Sequence, residues 1–414
     1  MKLSKWISGL GFGKTPNGER IRSADAFRDV GNGYFRKIGQ YFKTAQILLF
    51  VLLFLFVTVF VIANSESVTY ENMYYFFKDF RIAVDNTDST AEAIPYDTDE
   101  NMSFTVYKGG LAVAGTERIR LMTAAGGINS VSTLGFASPS LSSTTDLLLA
   151  YARGEKECHI YNSFTKIHEE TFEGAIRTAY LSESGAYSVT TEDDEYSSTV
   201  FVYSRSFKKR NKYNLNSYVI ASPLSDDGKT IAMLSYVCED GVYETRVRLA
   251  KVGSDRILCD TSMEGEFPLG ISFSGNGSVL VLTDGGLYRV TSKGGSVCAT
   301  EWTDGYVGAF AFRENGAVLV LRDDLKGSPD TVAISDGDGA ILRYVEVDGK
   351  VLSVRGGKDH IFYRTESELV RVSVKTGERE TLSCTETGGE LLVASEDTLL
   401  ICQNGEAKYY RFQK

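Results

Sequence analysis

Leu181-Ser-Glu-Ser-Gly185, running directly into Ala186-Tyr-Ser-Val-Thr190, is a polar glycine turn followed by a strand-like segment. The same succession returns three times. Leu224-Ser-Asp-Asp-Gly228 precedes Lys229-Thr-Ile-Ala-Met-Leu234, Phe273-Ser-Gly-Asn-Gly277 precedes Ser278-Val-Leu-Val-Leu282, and Phe312-Arg-Glu-Asn-Gly316 precedes Ala317-Val-Leu-Val-Leu321. The closing glycines are spaced by 43, 49 and 39 residues. Tight hairpins favour polar residues and glycine, because glycine reaches positive φ at little steric cost. A recurring unit of about 40 residues is the size of one four-stranded propeller blade.

Working outward, each turn leads through a second strand to a third. Thr199–Tyr203, Thr245–Leu249, Gly286–Val290 and Glu368–Val372 are third-strand segments. From 101 to 414 a helical period is nearly absent, which predicts an all-β domain. A single four-stranded sheet cannot cover both of its faces, whereas blades packed around an axis cover each other. Blade starts are read near Asn101, Val131, Gly174, Tyr218, Pro268, Tyr306, Lys350 and Glu390. The last unit ends without a fourth strand, and Ala91 to Tyr96 is placed to supply that edge from the other end of the domain. This makes eight blades, or seven if the two short terminal units merge. A β-sandwich pair or open solenoid is the remaining all-β alternative.

Upstream lies an apolar run of 19 residues, Ala45 to Ala63, with only Gln46 and Thr58 polar. As a helix it reaches roughly 28 Å, close to the hydrocarbon core of a bilayer. Residues 1–44 carry nine Lys or Arg and three Asp or Glu, whereas residues 64–100 carry two basic and nine acidic side chains. The positive-inside rule then predicts a cytoplasmic N-terminus and an outer C-terminal domain. The length of the run and of its basic lead favours an uncleaved signal anchor over a cleaved signal peptide. The organisation read from the sequence is a basic cytoplasmic tail (1–44), a transmembrane anchor (45–63), an aromatic segment with an acidic linker (64–100) and a propeller (101–414). The aromatics between Tyr70 and Phe80 suit a headgroup layer.

Little in the sequence points to catalysis. Gly-x-Ser-x-Gly is absent, and Gly13-Lys14-Thr15 lacks the upstream glycine of a phosphate loop, having Ser8 there. His159, His168 and His360 are read as belonging to separate blades, so a histidine metal cluster is not expected. The six cysteines show no metal or redox spacing, and at least four are expected to be buried free thiols. Asp336-Gly-Asp338-Gly339 offers at most a partial calcium turn through Asp336 and Asp338, since calcium needs six to eight oxygens. The formal net charge is −10 and residues 1–44 contribute 9 − 3 = +6, so the remainder carries −16. That disfavours nucleic acid as a partner of the domain. No cofactor is expected, because the repeated tryptophans of quinone-dependent propellers are missing: Trp6 and Trp302 are the two in the chain.

Aromatics in blade connections are the candidate contact residues: Tyr196, Tyr213, Tyr218, Trp302 and Tyr306. For Trp302, inter-blade packing competes evenly with a contact role. Lys108-Gly-Gly-Leu-Ala-Val-Ala114, Phe136-Ala-Ser-Pro-Ser140, Leu147 to Arg153 and Gly174-Ala-Ile-Arg-Thr-Ala179 with Gly185 to Thr191 resemble the DUF5711 family. The resemblance covers roughly residues 66–414. It implies a membrane-anchored, extracytoplasmic WD40- or quinoprotein-like propeller in the cell membrane of a Gram-positive bacterium, and implies no catalytic residues. The expected function is an interaction module at the cell envelope that binds a protein or a cell-wall glycan. The alternatives are an extracytoplasmic enzyme acting on glycans, or a ligand sensor signalling through its single span.

Overall fold

Gly110–Ala114, Leu148–Ala152 and Tyr187–Thr191 are buried at every position. They lack the in–out alternation of a sheet with one wet face. Each is the second strand of a four-stranded antiparallel sheet whose two faces are both covered by neighbouring sheets. Fourth strands, such as Ile128–Thr133 and Arg379–Ser383, are largely exposed. This is the burial gradient of a propeller blade, dry near the middle and wet at the rim.

The computed structural model describes residues 33–63 and 92–412, apart from 164, 276, 294, 303–304, 324–327 and 387. The chain divides into two units, Met1–Met73 and Tyr74–Lys414. In the first, one helix runs over Gly33–Ala63. Its stretch Tyr41–Val59 is long and apolar enough to cross a membrane, and none of that stretch is buried against protein. Residues 33–44, read from the sequence as tail, are helical: the apolar segment nucleates the helix and the preceding residues extend it at small cost. The tail before residue 33 and the aromatics between Tyr70 and Phe80 lie outside the described residues.

The second unit is an eight-bladed β-propeller made of eight four-stranded sheets. The blades begin at Ser103, Pro139, Ile176, Tyr218, Pro268, Tyr306, Ser353 and Glu390. Seven of these starts lie at or within three residues of the sequence reading. The second does not: Val131 belongs to the fourth strand of blade 1, paired with Arg120, and blade 2 starts at Pro139. The β-branched run Val131–Thr133 has the composition of a new strand, and only pairing shows which sheet it joins.

Closure is visible in two ways. First strands of neighbouring blades touch around the axis, and Glu390–Ser395 of blade 8 meets Ser103–Tyr107 of blade 1. The outer edge of blade 8 is Ala93–Pro95, with Ile94 opposite Ala407. Blade 8 therefore takes three strands from one end of the domain and one from the other. The core is a ring of eight apolar clusters, one in each gap between blades. In the gap between blades 8 and 1, Ile94, Leu400 and Ala407 pack on Leu111, Val113 and Met122. Full burial of one such aliphatic side chain contributes about 1.5–3 kcal/mol.

The repeated turns behave as hairpins. Gly185, Gly228 and Gly316 have φ of 82°, 66° and 126°. In the third copy the positive φ falls on Gly275, at 74°.

Candidate functional site: an aromatic surface on blade 4

Blade 4 departs from the regular repeat. Its second and third strands, Thr230–Glu239 and Val242–Lys251, are ten residues each. The equivalents in blades 1 and 5 are five or six residues. Asp240 and Gly241 close the hairpin with φ of 52° and 83°, the left-handed pair that an Asp-Gly turn adopts readily. The first strand begins at Tyr218, opposite Tyr236. Three further pairs, Val237 with Glu244, Cys238 with Tyr243 and Glu239 with Val242, run beyond that start. At ~3.4 Å per residue the hairpin projects about 10 Å past the start of its own blade's first strand.

The base and side of this projection carry a continuous aromatic surface. Tyr218 stacks on Tyr236, with centroids 5.6 Å apart. Tyr236 lies 6.0 Å from Tyr243 and 5.2 Å from Phe267, and Tyr243 lies 5.2 Å from Phe267. The Arg177 guanidinium of blade 3 covers the other end, 5.4 Å from the Tyr218 ring centroid. Tyr218, Val242 and Tyr243 are 46%, 50% and 42% exposed. Rings locked against one another while keeping a free face lose little entropy on binding. Beside them runs an open groove of about 520 Å³, lined by Arg153, Arg177, Glu192, Tyr218 and Tyr236. Arg177 and Glu192 are paired across it at 3.4 Å.

The aromatics expected from the sequence distribute as follows. Tyr218 and Tyr306 open the first strands of blades 4 and 6 and are exposed. Tyr196 stands in the turn between the second and third strands of blade 3, partly buried, and lines a second groove with Arg246, Arg248 and Asp260. Second-to-third turns and blade-to-blade connections share one face of a propeller, so Tyr196, Tyr218, Trp302 and Tyr306 lie on that face. Tyr213 is half-buried between blades 3 and 4, and burial pushes its phenol pKa up. Trp302 packs on the cluster between blades 5 and 6, and its Nε1–H donates to the Asp284 carbonyl at 2.6 Å. Tyr236, Tyr243, Phe267 and Arg177 were not legible as a site. The available signal was the unusual length of the two strand-like segments flanking Asp240-Gly241.

At Asp336, Oδ1 accepts from the backbone N–H groups of Asp338 and Ala340 at 2.9 and 3.0 Å, which shapes the turn. Asp338 pairs with Arg289 at 3.1 Å. The histidines need a correction. His159 and His168 are both in blade 2, in its third strand Glu157–Tyr161 and fourth strand Lys166–Thr171. They point to opposite sides, because Ile160, not His159, is the partner of His168. His168 stacks on Phe207 at 4.3 Å, and His360 bonds Glu396 at 2.9 Å. The six cysteines are free, with Cys158, Cys259, Cys384 and Cys402 buried.

A family model described as a family of unknown function, DUF5711, matches residues 84–406. None of the curated proteins matches the chain. Among solved structures, Sqt1 from Saccharomyces cerevisiae is similar with a TM-score of 0.57 and 10% identity, covering 78% of this chain and 98% of that one. BamB from Moraxella catarrhalis is similar with a TM-score of 0.51 and 11% identity, covering 78% of this chain and 99% of that one. At such identities the likeness is one of fold.

Proposed function

This chain belongs to the DUF5711 family, and from that premise we propose that it is a membrane-tethered propeller that binds another protein of the cell envelope through the aromatic surface of blade 4. The propeller fold supports an interaction module in general, by analogy of architecture. The observation that carries the specific reading is the projecting hairpin with its Tyr218–Tyr236–Tyr243–Phe267 ring cluster. A hairpin extended beyond its sheet contributes nothing to the ring core, yet it holds solvent-facing aromatics in fixed positions. The helix Gly33–Ala63 supplies the tether, and the excess of basic residues before it supports an outward-facing propeller. The bilayer is then the second partner, met by the anchor alone.

The test is proximity crosslinking in native membranes with the full-length protein. Tyr243→Ala is expected to lose a crosslinked protein that the wild type and Tyr344→Ala both recover, with no change in melting temperature. Tyr344 is 60% exposed on the rim of blade 6 and serves as the surface control. Equal recovery by Tyr243→Ala overturns the reading. A second reading, wall-glycan binding, is favoured by the charged pair Arg177–Glu192 beside an open tyrosine face. Retention of wall fragments that depends on Tyr218, with no protein partner, would select it.

A further inference from the structure

Blade 2 carries a polar cluster that the interaction reading does not use. Strand alternation puts Glu157, His159 and Tyr161 on one face of the third strand, and Glu169 lies directly opposite His159 on the fourth. His159 is only 3% exposed. Its Nδ1 lies 3.2 Å from the Tyr161 hydroxyl, and its ring packs against the buried Phe136 at 4.8 Å. Its Nε2 is buried without a hydrogen-bond partner. That atom faces the carboxylates of Glu157 and Glu169, each 3.8 Å away. The three ligand atoms all lie within 4.8 Å of one another.

We propose that Glu157, His159 and Glu169 form a binding site for one divalent transition-metal cation, with the imidazole at its floor and the two carboxylates at its rim. Two observations support this. An orphaned Nε2 in a dry position is costly, and a cation is the partner that its two acidic neighbours would also accept. With Nδ1–H donating to the Tyr161 oxygen, the Nε2 lone pair points at the carboxylates, which is how a ligating histidine is usually held by its other nitrogen.

Distance decides the ion class. Two ligands on a tetrahedral Zn²⁺, at ~2.0–2.2 Å each, stand roughly 3.3 Å apart. The 3.8 Å separations close to that with small rotations of half-exposed glutamates. Imidazole with carboxylate suits zinc-like ions better than calcium, which takes oxygens alone at longer range. Lys166 now holds one cationic place, with its Nζ 2.5 Å from Glu169 Oε2. Its flexible stem lets the ammonium withdraw into solvent when a metal arrives. A bridging water, which would fill the same space without any charge preference, is the alternative occupant.

The test uses metal-stripped full-length protein in detergent, titrated with Zn²⁺ by calorimetry and with Co²⁺ by visible absorption. One equivalent is expected to bind at micromolar concentration or tighter, with a d–d spectrum of low coordination number. His159→Gln and Glu157→Gln should each weaken it tenfold or more, and Lys166→Met should tighten it severalfold. Glu157 is about half-exposed, so Glu157→Gln keeps the test valid if His159→Gln fails to fold. His168→Gln is expected to change nothing. Absence of stoichiometric binding, or binding unaltered by Glu157→Gln, overturns the site.

Discussion

Glu386 shows how a single side chain can tie two blades together and make that tie sensitive to pH. It sits in the connection from blade 7 to blade 8, where it accepts bonds from Lys408 Nζ at 2.9 Å and from the Tyr410 hydroxyl. Burial acts to raise its pKa, but the Lys408 and Tyr410 hydrogen bonds outweigh burial and pull it down to about 2. Since the folded value lies below the ordinary carboxyl value of 4.5, the group stabilises the fold above that pH. Its contribution is lost as pH falls from 4.5 toward 2. The stability gap between wild type and Glu386→Gln should be constant above about pH 5 and shrink below it. Unfolding curves across that range check this, and a gap independent of pH would refute it. The Glu157–His159–Glu169 cluster is also a residue-scale feature. Its histidine was visible in the sequence, but its carboxylate partners were not, because Glu169 reaches it only across a strand pair.

At the scale of the element, the second strands explain why so much of the architecture could be read directly. Both faces are dry, so most of these segments are apolar runs, and in blade 3 the buried Ser188 and Thr190 instead bond to Ser222 of blade 4. Where a first strand meets its neighbour the constraint is steric instead. Gly270, in the first strand of blade 5, leaves room for the rings of Phe310 and Phe312 in blade 6: an added Cβ would lie 2.9 and 3.0 Å from their edges. Gly270→Val is expected to cost about 1–3 kcal/mol by overpacking that gap. Gly277→Ala, whose Cβ would meet only Ser292 Oγ at 3.8 Å, should stay within about 0.5 kcal/mol of wild type. Urea midpoints of the two variants settle the comparison. The long hairpin of blade 4 is the element that sequence periodicity passed over. A repeat detects what blades share, and this hairpin is where one blade differs.

Over the whole molecule, the ring depends on a strand borrowed from its other end. Ile94 is fully buried at the junction of blades 8 and 1. Ile94→Ala is expected to destabilise the propeller by about 2–5 kcal/mol and to make Glu406–Arg411 the first strand cleaved in limited proteolysis. Melting unchanged from wild type would mean that closure adds no stability. The sequence by itself determined the all-β class, the blade period, the apolar helix and the closing segment near Ala91 to Tyr96. These follow from local chemistry: glycine turns and apolar runs. Only the tertiary structure decided that Val131 ends blade 1, that Trp302 packs between blades, and that Tyr218, Tyr236, Tyr243 and Phe267 share one surface. It alone brought Glu157 and Glu169 around a buried His159. Each of these rests on which strand pairs with which and on which rings meet across a gap. Such contacts join residues far apart along the chain, and local composition carries no record of them.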